Sequence, residues 1–242
     1  MTNSSIDDSA PVLAGINTPA LPWSPDDAWI GVGLLVVIQF AFAMAILILK
    51  PLKIYGTYLV VILELIYLLP VVIILALRHA QFKLLGYRRF DPRFILIGCS
   101  LLVPAYVITI INNSLFLTFG KDIQANEILQ LLNTLSSPYS FIFTGVIIAP
   151  IVEESFFRGF LFAGFRGRYG WNKAALLSSA IFAAAHLQPS VLVPTFILGY
   201  MFSYLYQKSN SIFPGMLMHF LVNAFGIITI FVLTRSGLPI PR

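Results

Sequence analysis

The chain of 242 residues is 58% hydrophobic and only 10% charged, with 15 basic and 10 acidic side chains and a formal net charge of +5. Soluble domains carry about 25% charged residues, so this composition excludes an ordinary soluble domain. The basic residues are grouped in short loops between apolar runs, which favours contact with a lipid bilayer over nucleic-acid binding. The single cysteine, Cys99, excludes a disulfide framework and a cysteine-rich metal site. We therefore predict an all-α, polytopic bundle of membrane helices.

The N-terminal segment differs from the rest of the chain. Residues 1–28 contain no Lys or Arg but four Asp. A cleavable signal peptide begins with a positively charged region, so we do not expect this segment to be one. We predict a disordered polar tail over 1–28, three transmembrane spans over 29–118 and a C-terminal core over 119–242 that carries the chemistry.

Seven apolar runs predict about seven spans. They cover residues 29–49, 55–77, 94–118, 139–165, 174–187, 190–207 and 212–233. The fifth run is short, and Pro189 separates it from the sixth. Residues 122–135 place their apolar side chains on one stripe, which predicts a short helix in the membrane interface, with a lid over a cavity as the alternative.

The loop Lys and Arg residues predict the orientation. The three loops after the second, fourth and sixth spans contain nine of them, and the opposite side contains five. Because positive loops stay in the cytoplasm, we expect a cytoplasmic N-terminus.

The fourth span contains the sequence APIVEESFFRGFL, with three charged residues inside an apolar run. A charged side chain at the bilayer centre costs roughly 2.5–3.5 kcal/mol, so Glu153, Glu154 and Arg158 should face the interior of the bundle. Glu154 and Arg158 are four residues apart and should form an ion pair on one helix face. This pairing leaves Glu153 without an obvious local partner.

Two later spans supply further polar groups. Phe182 and His186 are four residues apart on the fifth span, and His219 and Asn223 are four apart on the last. A rise of about 1.5 Å per residue puts Glu153 and His186 roughly 18 Å and His219 roughly 11 Å from the cytoplasmic ends, so a cavity open to the cytoplasm could hold all three. A base, two imidazoles and an amide are the components of a hydrolase site. Singly, each could be only a structural ion pair or an interhelical hydrogen bond.

Together these motifs resemble a known family. The patterns Glu-Glu-x-x-x-Arg at 153–158, Phe-x-x-x-His at 182–186 and His-x-x-x-Asn at 219–223 are similar to those of the type II CAAX prenyl endopeptidase and bacteriocin-processing family of intramembrane proteases. The match is closest to bacterial members, which implies a multi-pass protein of the bacterial plasma membrane. It also implies hydrolysis of a peptide bond in a membrane-embedded or lipidated peptide or protein.

The resemblance implies a role for each motif residue. Glu153 would be the general base, and His186 would help it bind the attacking water. His219 and Asn223 would stabilise the oxyanion, while the ion pair described above would hold the helix of the base in register.

The family is also described as metal-dependent. In that interpretation Glu153, His186 and His219 would bind Zn²⁺ and leave a fourth position open for water. The chain has no His-Glu-x-x-His pattern, the compact zinc signature. Both the zinc mechanism and a metal-free glutamate mechanism therefore remain open at this stage.

Two other functional classes also remain open. A proton-coupled transporter would use intramembrane Glu and His as well, although the chain has no internal repeat. A catalytically silent scaffold or bacteriocin-immunity factor would keep the fold without the chemistry. We interpret Glu64, Asn112 and Asn113 as groups that join helices by hydrogen bonds, with Glu64 lining the cavity as the alternative.

Overall fold

The computed structural model describes residues 21–49, 56–135 and 137–236. Within these ranges the backbone is helical and forms no β-strand, which confirms the predicted all-α class. The α-helices are α1 (Pro25–Leu49), α2 (Gly56–Leu65), α3 (Leu68–Leu77), α4 (Arg93–Thr118), α5 (Gln124–Thr134), α6 (Pro138–Phe143), α7 (Ala149–Glu154), α8 (Ala163–Ala185), α9 (Leu192–Ser209) and α10 (Phe213–Ser236). Thr144–Ile148 and Ser155–Phe162 are π-helical, and Phe82–Leu85 and Pro189–Val191 form 3₁₀ turns.

Six continuous helical segments in the described part of the chain are long and apolar enough to cross a bilayer. They are Pro25–Ile48, Tyr58–Leu77, Arg93–Thr118, Pro138–Ala185, Pro189–Ser209 and Phe213–Ser236. Their outward faces are apolar, and Val37 and Phe40 of α1 are 64% and 67% exposed. Such surfaces suit lipid, and the protein is a multi-pass membrane protein.

The segment Pro138–Ala185 contains both the fourth and the fifth predicted spans. It bends at Gly170, whose φ of 72° and ψ of 164° are readily accessible only to glycine. Beyond the bend the chain folds back, and the Ser178 hydroxyl donates a hydrogen bond of 2.7 Å to the Phe157 carbonyl. The two predicted spans are therefore the antiparallel legs of one bent segment.

The predicted basic loops lie together at one end of the bundle. Arg78, after α3, donates to Asp27 at 2.7 Å, and Arg168, beside the bend, donates to Asp26 at 2.7 Å. The hydrogen bonds to Asp27 raise the pKa of Arg78, so this pair stays ionised. The loop after α9 joins the same end, because the Ser211 hydroxyl donates to the Arg88 carbonyl at 2.6 Å. The assignment of this end to the cytoplasm stays a prediction.

The start of the described chain corrects one predicted boundary. Residues 21–28 were assigned to the polar tail, but α1 begins at Pro25, and Trp23 and Ala28 are buried. The Trp23 indole donates to the Phe160 carbonyl at 3.2 Å, which ties this segment to the core. The remainder of the predicted tail lies outside the described residues, as do three residues used for the topology, Lys50, Lys53 and Arg242.

The short amphipathic helix is confirmed as α5, Gln124–Thr134, within the predicted 122–135. It packs against α10 and buries Leu132. Its position in the membrane interface stays a prediction. The alternative of a lid gains one supporting contact, because Gln124 lines the cavity described below.

Candidate active site

The helix that carries the paired carboxylates is irregular on both sides of α7. In the π-helical turns the backbone N–H reaches one residue further back than in an α-helix, as Ala149 does to the Thr144 carbonyl. The corresponding donor for the Gly145 carbonyl would be the nitrogen of Pro150, which has no hydrogen. The Asn223 amide of α10 donates to that carbonyl at 2.8 Å instead. A proline in the fourth span thus creates the acceptor that ties Asn223 to it.

Glu154 and Arg158 form the predicted ion pair. The Arg158 Nη1 donates to Glu154 Oε1 at 2.8 Å, and the two side chains are 1% and 0% exposed. The guanidinium carbon also lies 4.3 Å from the ring centre of Phe182 and 5.1 Å from that of Phe202. The faces of these two rings stabilise the buried Arg158 guanidinium on the sides where no carboxylate contacts it.

Glu154 has a second partner that the spacing did not predict. The His219 Nδ1 lies 3.0 Å from the same Glu154 Oε1, so one carboxylate oxygen bonds to both the arginine and the imidazole. Phe202 stacks on the His219 ring at 5.2 Å between ring centres. Glu154 and Phe202 together fix the position and the tilt of His219.

The Glu153 carboxylate faces the other ring nitrogen of His219. Its Oε2 is 3.7 Å from His219 Nε2, a distance longer than a direct hydrogen bond. The carboxylate that lacked a local partner in the sequence therefore faces His219 across the helix interface. The two adjacent glutamates approach opposite nitrogens of one histidine.

A cavity of about 140 Å³ adjoins this cluster. Its polar lining comprises both predicted histidines, the predicted asparagine and groups from α4 and α5, namely His186, His219, Asn223, Tyr106, Thr109, Asn113 and Gln124. His219 belongs both to the cavity wall and to the carboxylate cluster behind it. The lining does not include Glu153 or Glu154, so His219 connects the two parts of the site.

His186 has a defined orientation in this cavity. Its Nδ1 lies 2.8 Å from the carbonyl oxygen of Phe182, four residues earlier in the chain. A carbonyl oxygen only accepts hydrogen bonds, so this contact favours the tautomer with the hydrogen on Nδ1. In that tautomer Nε2 is left as an acceptor. The predicted Phe-x-x-x-His spacing therefore orients the imidazole through the backbone, and the Phe182 ring at the same time packs on Arg158.

The cavity extends toward the end of the bundle away from the basic loops. Asn113 lies near the C-terminal end of α4, His186 directly follows α8, and Gln124 begins α5. All three lie at the end of the bundle opposite the basic loops. The expectation of a cavity open to the cytoplasm stays a prediction.

The described part of the chain shows no preformed zinc site. No group of three His, Cys, Asp or Glu side chains there is arranged to hold a metal. Zinc binds nitrogen and oxygen at about 2.0–2.2 Å and needs its ligands to converge. His219 Nδ1 bonds to Glu154 and His186 Nδ1 lies against a backbone carbonyl, and these partners leave the Nε2 atom of each ring free. Zinc binding by Glu153, His186 and His219 therefore stays a prediction.

The helix-joining residues divide into two kinds. Asn112 is buried and donates to the Ser190 carbonyl at 2.6 Å, which confirms its structural interpretation. Asn113 instead lines the cavity. Glu64 lies on α2, where its Oε1 is buried without a hydrogen-bond partner among the described residues, and the cavity lining does not include it.

Comparison with known proteins bears on this site. Residues 135–225 match the family model described as "Rce1-like: Type II CAAX prenyl endopeptidase Rce1-like". This region is similar to that family, and we refer to it as the Rce1-like region. The resemblance inferred from the three motifs is thereby confirmed, and the matched residues include all seven motif positions.

Three bacterial relatives are similar to the chain. The "Putative membrane peptidase YdiL" of Bacillus subtilis is 25% identical over 165 residues, 65% of this chain and 66% of that protein. The "UPF0177 protein YxdF" of Lactococcus lactis is 29% identical over 128 residues, which cover 52% of this chain and 68% of that protein. An "Uncharacterized 24.3 kDa protein" of Escherichia coli is 33% identical over 87 residues, which cover 34% of this chain and 40% of that protein. The matches thus span about two thirds of the first two relatives, and no solved structure matches the chain.

Proposed function

We propose that the protein is an intramembrane endopeptidase. It hydrolyses a peptide bond of a membrane-associated or lipidated protein or peptide with water activated by glutamate and histidine. The Rce1-like region and the similarity to a protein named as a membrane peptidase support the protease class. The arrangement of the site residues supports the metal-free form of the mechanism.

One observation carries the proposal. His219 is held by Glu154 at 3.0 Å on one nitrogen and faces Glu153 at 3.7 Å on the other, and it also lines the cavity. A single water can hydrogen-bond to Glu153 and to His219 at the same time across that separation. A base, an oriented imidazole and a polar cavity are therefore contiguous inside an apolar bundle, where electrostatic interactions are strong.

The proposed reaction proceeds by general acid–base catalysis. Glu153 takes a proton from the water, whose oxygen attacks the carbonyl carbon of the scissile bond. When the tetrahedral intermediate collapses, the C–N bond breaks and Glu153 returns the proton to the leaving nitrogen. His186 offers its free Nε2 to the attacking water or to a substrate N–H.

The oxyanion of the tetrahedral intermediate requires hydrogen-bond donors, and the site offers two of them. One N–H of the Asn223 amide is used by the Gly145 carbonyl, and the second remains available because an amide has two donors. With a hydrogen on each ring nitrogen, His219 adds an N–H at Nε2 while Nδ1 donates to Glu154. Glu154 therefore positions His219, in addition to the register role that the pairing with Arg158 implied.

The test is turnover by the purified protein in liposomes, with quenched fluorescent peptides as probes. One probe ends in a farnesylated Cys-a-a-X sequence, and another is an unmodified transmembrane peptide. We expect Glu153→Gln to lose about 10²–10⁴-fold in rate while the protein stays folded. Glu127→Gln, the same change at an exposed position of α5, is the matched control.

Near-wild-type turnover by the Glu153→Gln protein would overturn the assignment of the base. Membrane peptides that accumulate in cells producing this variant would identify the natural substrate. Retention of full cellular function by the variant would instead favour the silent scaffold.

A further inference from the structure

One wall of the cavity is built by α4, which lies outside the Rce1-like region. Tyr106, Thr109 and Asn113 line the cavity and are spaced three and four residues apart, so they form one stripe on the helix. Val107 and Ile110, on the other faces of α4, are 51% and 63% exposed. We call the stripe of three residues the α4 wall. It is a polar surface of the cavity that the proposed reaction does not use.

The neighbouring Asn112 fixes this wall and orients the Asn113 amide. Asn112 Nδ2 donates to the Ser190 carbonyl at 2.6 Å, which ties α4 to the turn before α9. The same Nδ2 lies 3.4 Å from Asn113 Oδ1, so the oxygen of the second amide faces its neighbour. Asn113 Nδ2 meets no acceptor among the described residues, although the side chain is half-buried and lines the cavity. An N–H donor is therefore presented to the occupant of the cavity.

The other two members of the α4 wall add a hydroxyl each. Thr109 Oγ1 donates to the Ala105 carbonyl at 2.9 Å, so its oxygen remains available as an acceptor. The Tyr106 ring packs edge-on against Phe225 at 5.5 Å between ring centres, which holds the half-buried hydroxyl group in place. The wall thus offers donors and an acceptor side by side.

The α4 wall suits an uncharged ligand. Among the described residues that line the cavity, none is Lys, Arg, Asp or Glu. A terminal group or a charged side chain of a peptide finds no ion-pair partner on this wall, and burial of an unpaired charge is strongly unfavourable. The internal backbone of a peptide is neutral and carries one donor and one acceptor at each residue other than proline. The wall therefore matches an internal stretch of peptide backbone.

Hydrolysis inside a membrane creates a need for such a surface. A membrane-spanning helix satisfies its N–H and C=O groups internally. Attack on one of its peptide carbonyls needs the segment to leave the helical conformation, and this frees backbone groups inside an apolar bundle. Without new partners these groups would oppose entry of the segment into the site.

We infer that the α4 wall is the substrate-binding surface of the site: the Asn113 amide and the Tyr106 hydroxyl form hydrogen bonds with the backbone of an uncharged, extended substrate segment beside the scissile bond. The inference rests on the proposed function. It assigns recognition of the substrate to a helix outside the Rce1-like region and the chemistry to helices inside it.

The test combines a change in the protein with a change in the substrate backbone. Asn113→Leu removes the amide at similar volume, and Asn133→Leu makes the same change at an exposed position of α5. The probe is the unmodified transmembrane peptide, together with analogues in which one amide near the scissile bond is replaced by an ester. An ester has no N–H and its carbonyl is a weaker acceptor, so it weakens the hydrogen bonds of that peptide unit.

We expect Asn113→Leu to lower kcat/KM for the all-amide probe about 3- to 10-fold, mainly through KM, since one neutral hydrogen bond is lost. At one position the ester should lower kcat/KM for the wild type and for Asn133→Leu but have little effect for Asn113→Leu, because the partner is already absent. A purely structural role for Asn113 predicts the same ester effects in all three proteins. Equal ester effects would overturn the inference, as would equal kcat/KM of the two Leu variants.

Tyr106→Phe provides the same test if Asn113→Leu does not fold. It removes only the hydroxyl and keeps the ring against Phe225. The ester effect should then disappear at a different position of the probe. Ester effects in Tyr106→Phe that equal those in the wild type would contradict the assignment.

A binding measurement separates this inference from the proposed function. The Glu153→Gln protein carries a fluorophore on Cys99, which is exposed on α4, and energy transfer to the labelled all-amide probe reports binding in liposomes. Adding Asn113→Leu should weaken binding about 3- to 10-fold. A wild type that cleaves no probe while this weakening is observed sinks the proposed function and retains the binding surface. A wild type that cleaves the probe without dependence on Asn113 or Tyr106 sinks only the inference.

Discussion

Replacement of Arg158 by alanine tests the central ion pair of the bundle. The guanidinium bonds to Glu154 at 2.8 Å, with both side chains almost completely buried. Arg158→Ala removes the cation, leaves the Glu154 charge inside the protein and empties the space between the rings of Phe182 and Phe202. Each of these changes destabilises the folded state.

The expected decrease in the free energy of unfolding follows from the burial of the ion pair. Removal of one partner of a buried ion pair typically costs about 3–5 kcal/mol, because the other charge stays buried and unpaired. His219 remains as a partner of Glu154 at 3.0 Å, which reduces the electrostatic part, while the lost packing adds to it. We therefore keep the range of about 3–5 kcal/mol. For chains of 150–250 residues this corresponds to a decrease in Tm of about 6–20 °C.

The assay is thermal unfolding of the detergent-solubilised protein, followed by circular dichroism. The matched control is Arg93→Ala, because Arg93 pairs with Asp91 at the same distance of 2.8 Å but with side chains 81% and 40% exposed. Exposed pairs contribute little, so this variant should unfold with the wild type. If Arg158→Ala also unfolds with the wild type, the argument from burial is refuted. A double variant with Glu154→Leu and Arg158→Met should recover part of the loss, since no unpaired charge remains.

Two further predictions use the same preparations. Gly159→Ala should destabilise the protein by about 1–3 kcal/mol, because its Cβ would lie 2.8 Å from the Leu85 carbonyl oxygen, whereas Gly167→Ala, with no atom within 4 Å, should not. Equal thermal unfolding of the two variants would contradict this packing argument. Asn223→Ala should lower turnover about 10²–10³-fold without changing metal content, as expected for a lost oxyanion donor. Stoichiometric zinc in the wild type that is absent from His219→Ala, with activity restored by zinc after chelation, would instead establish the metal mechanism.

Local features of this protein were predictable from its sequence. The membrane class follows from composition, and the bounds of most helices follow from the lengths of the apolar runs. The Glu154–Arg158 pair formed as predicted, because residues four apart meet on any α-helix and the π-helical turn that begins at Ser155 did not separate them. The motif spacing likewise predicted the Rce1-like region.

The contacts between helices were decided only by the tertiary structure. Spacing along the chain does not tell how a helix is rotated about its axis or which neighbour it meets, so the sequence could not show that Glu154 also binds His219. The cavity lies at the end away from the basic loops for the same reason, since its position depends on where the helices diverge. Composition and spacing thus identified the chemical groups of the site, and helix packing determined which of them touch.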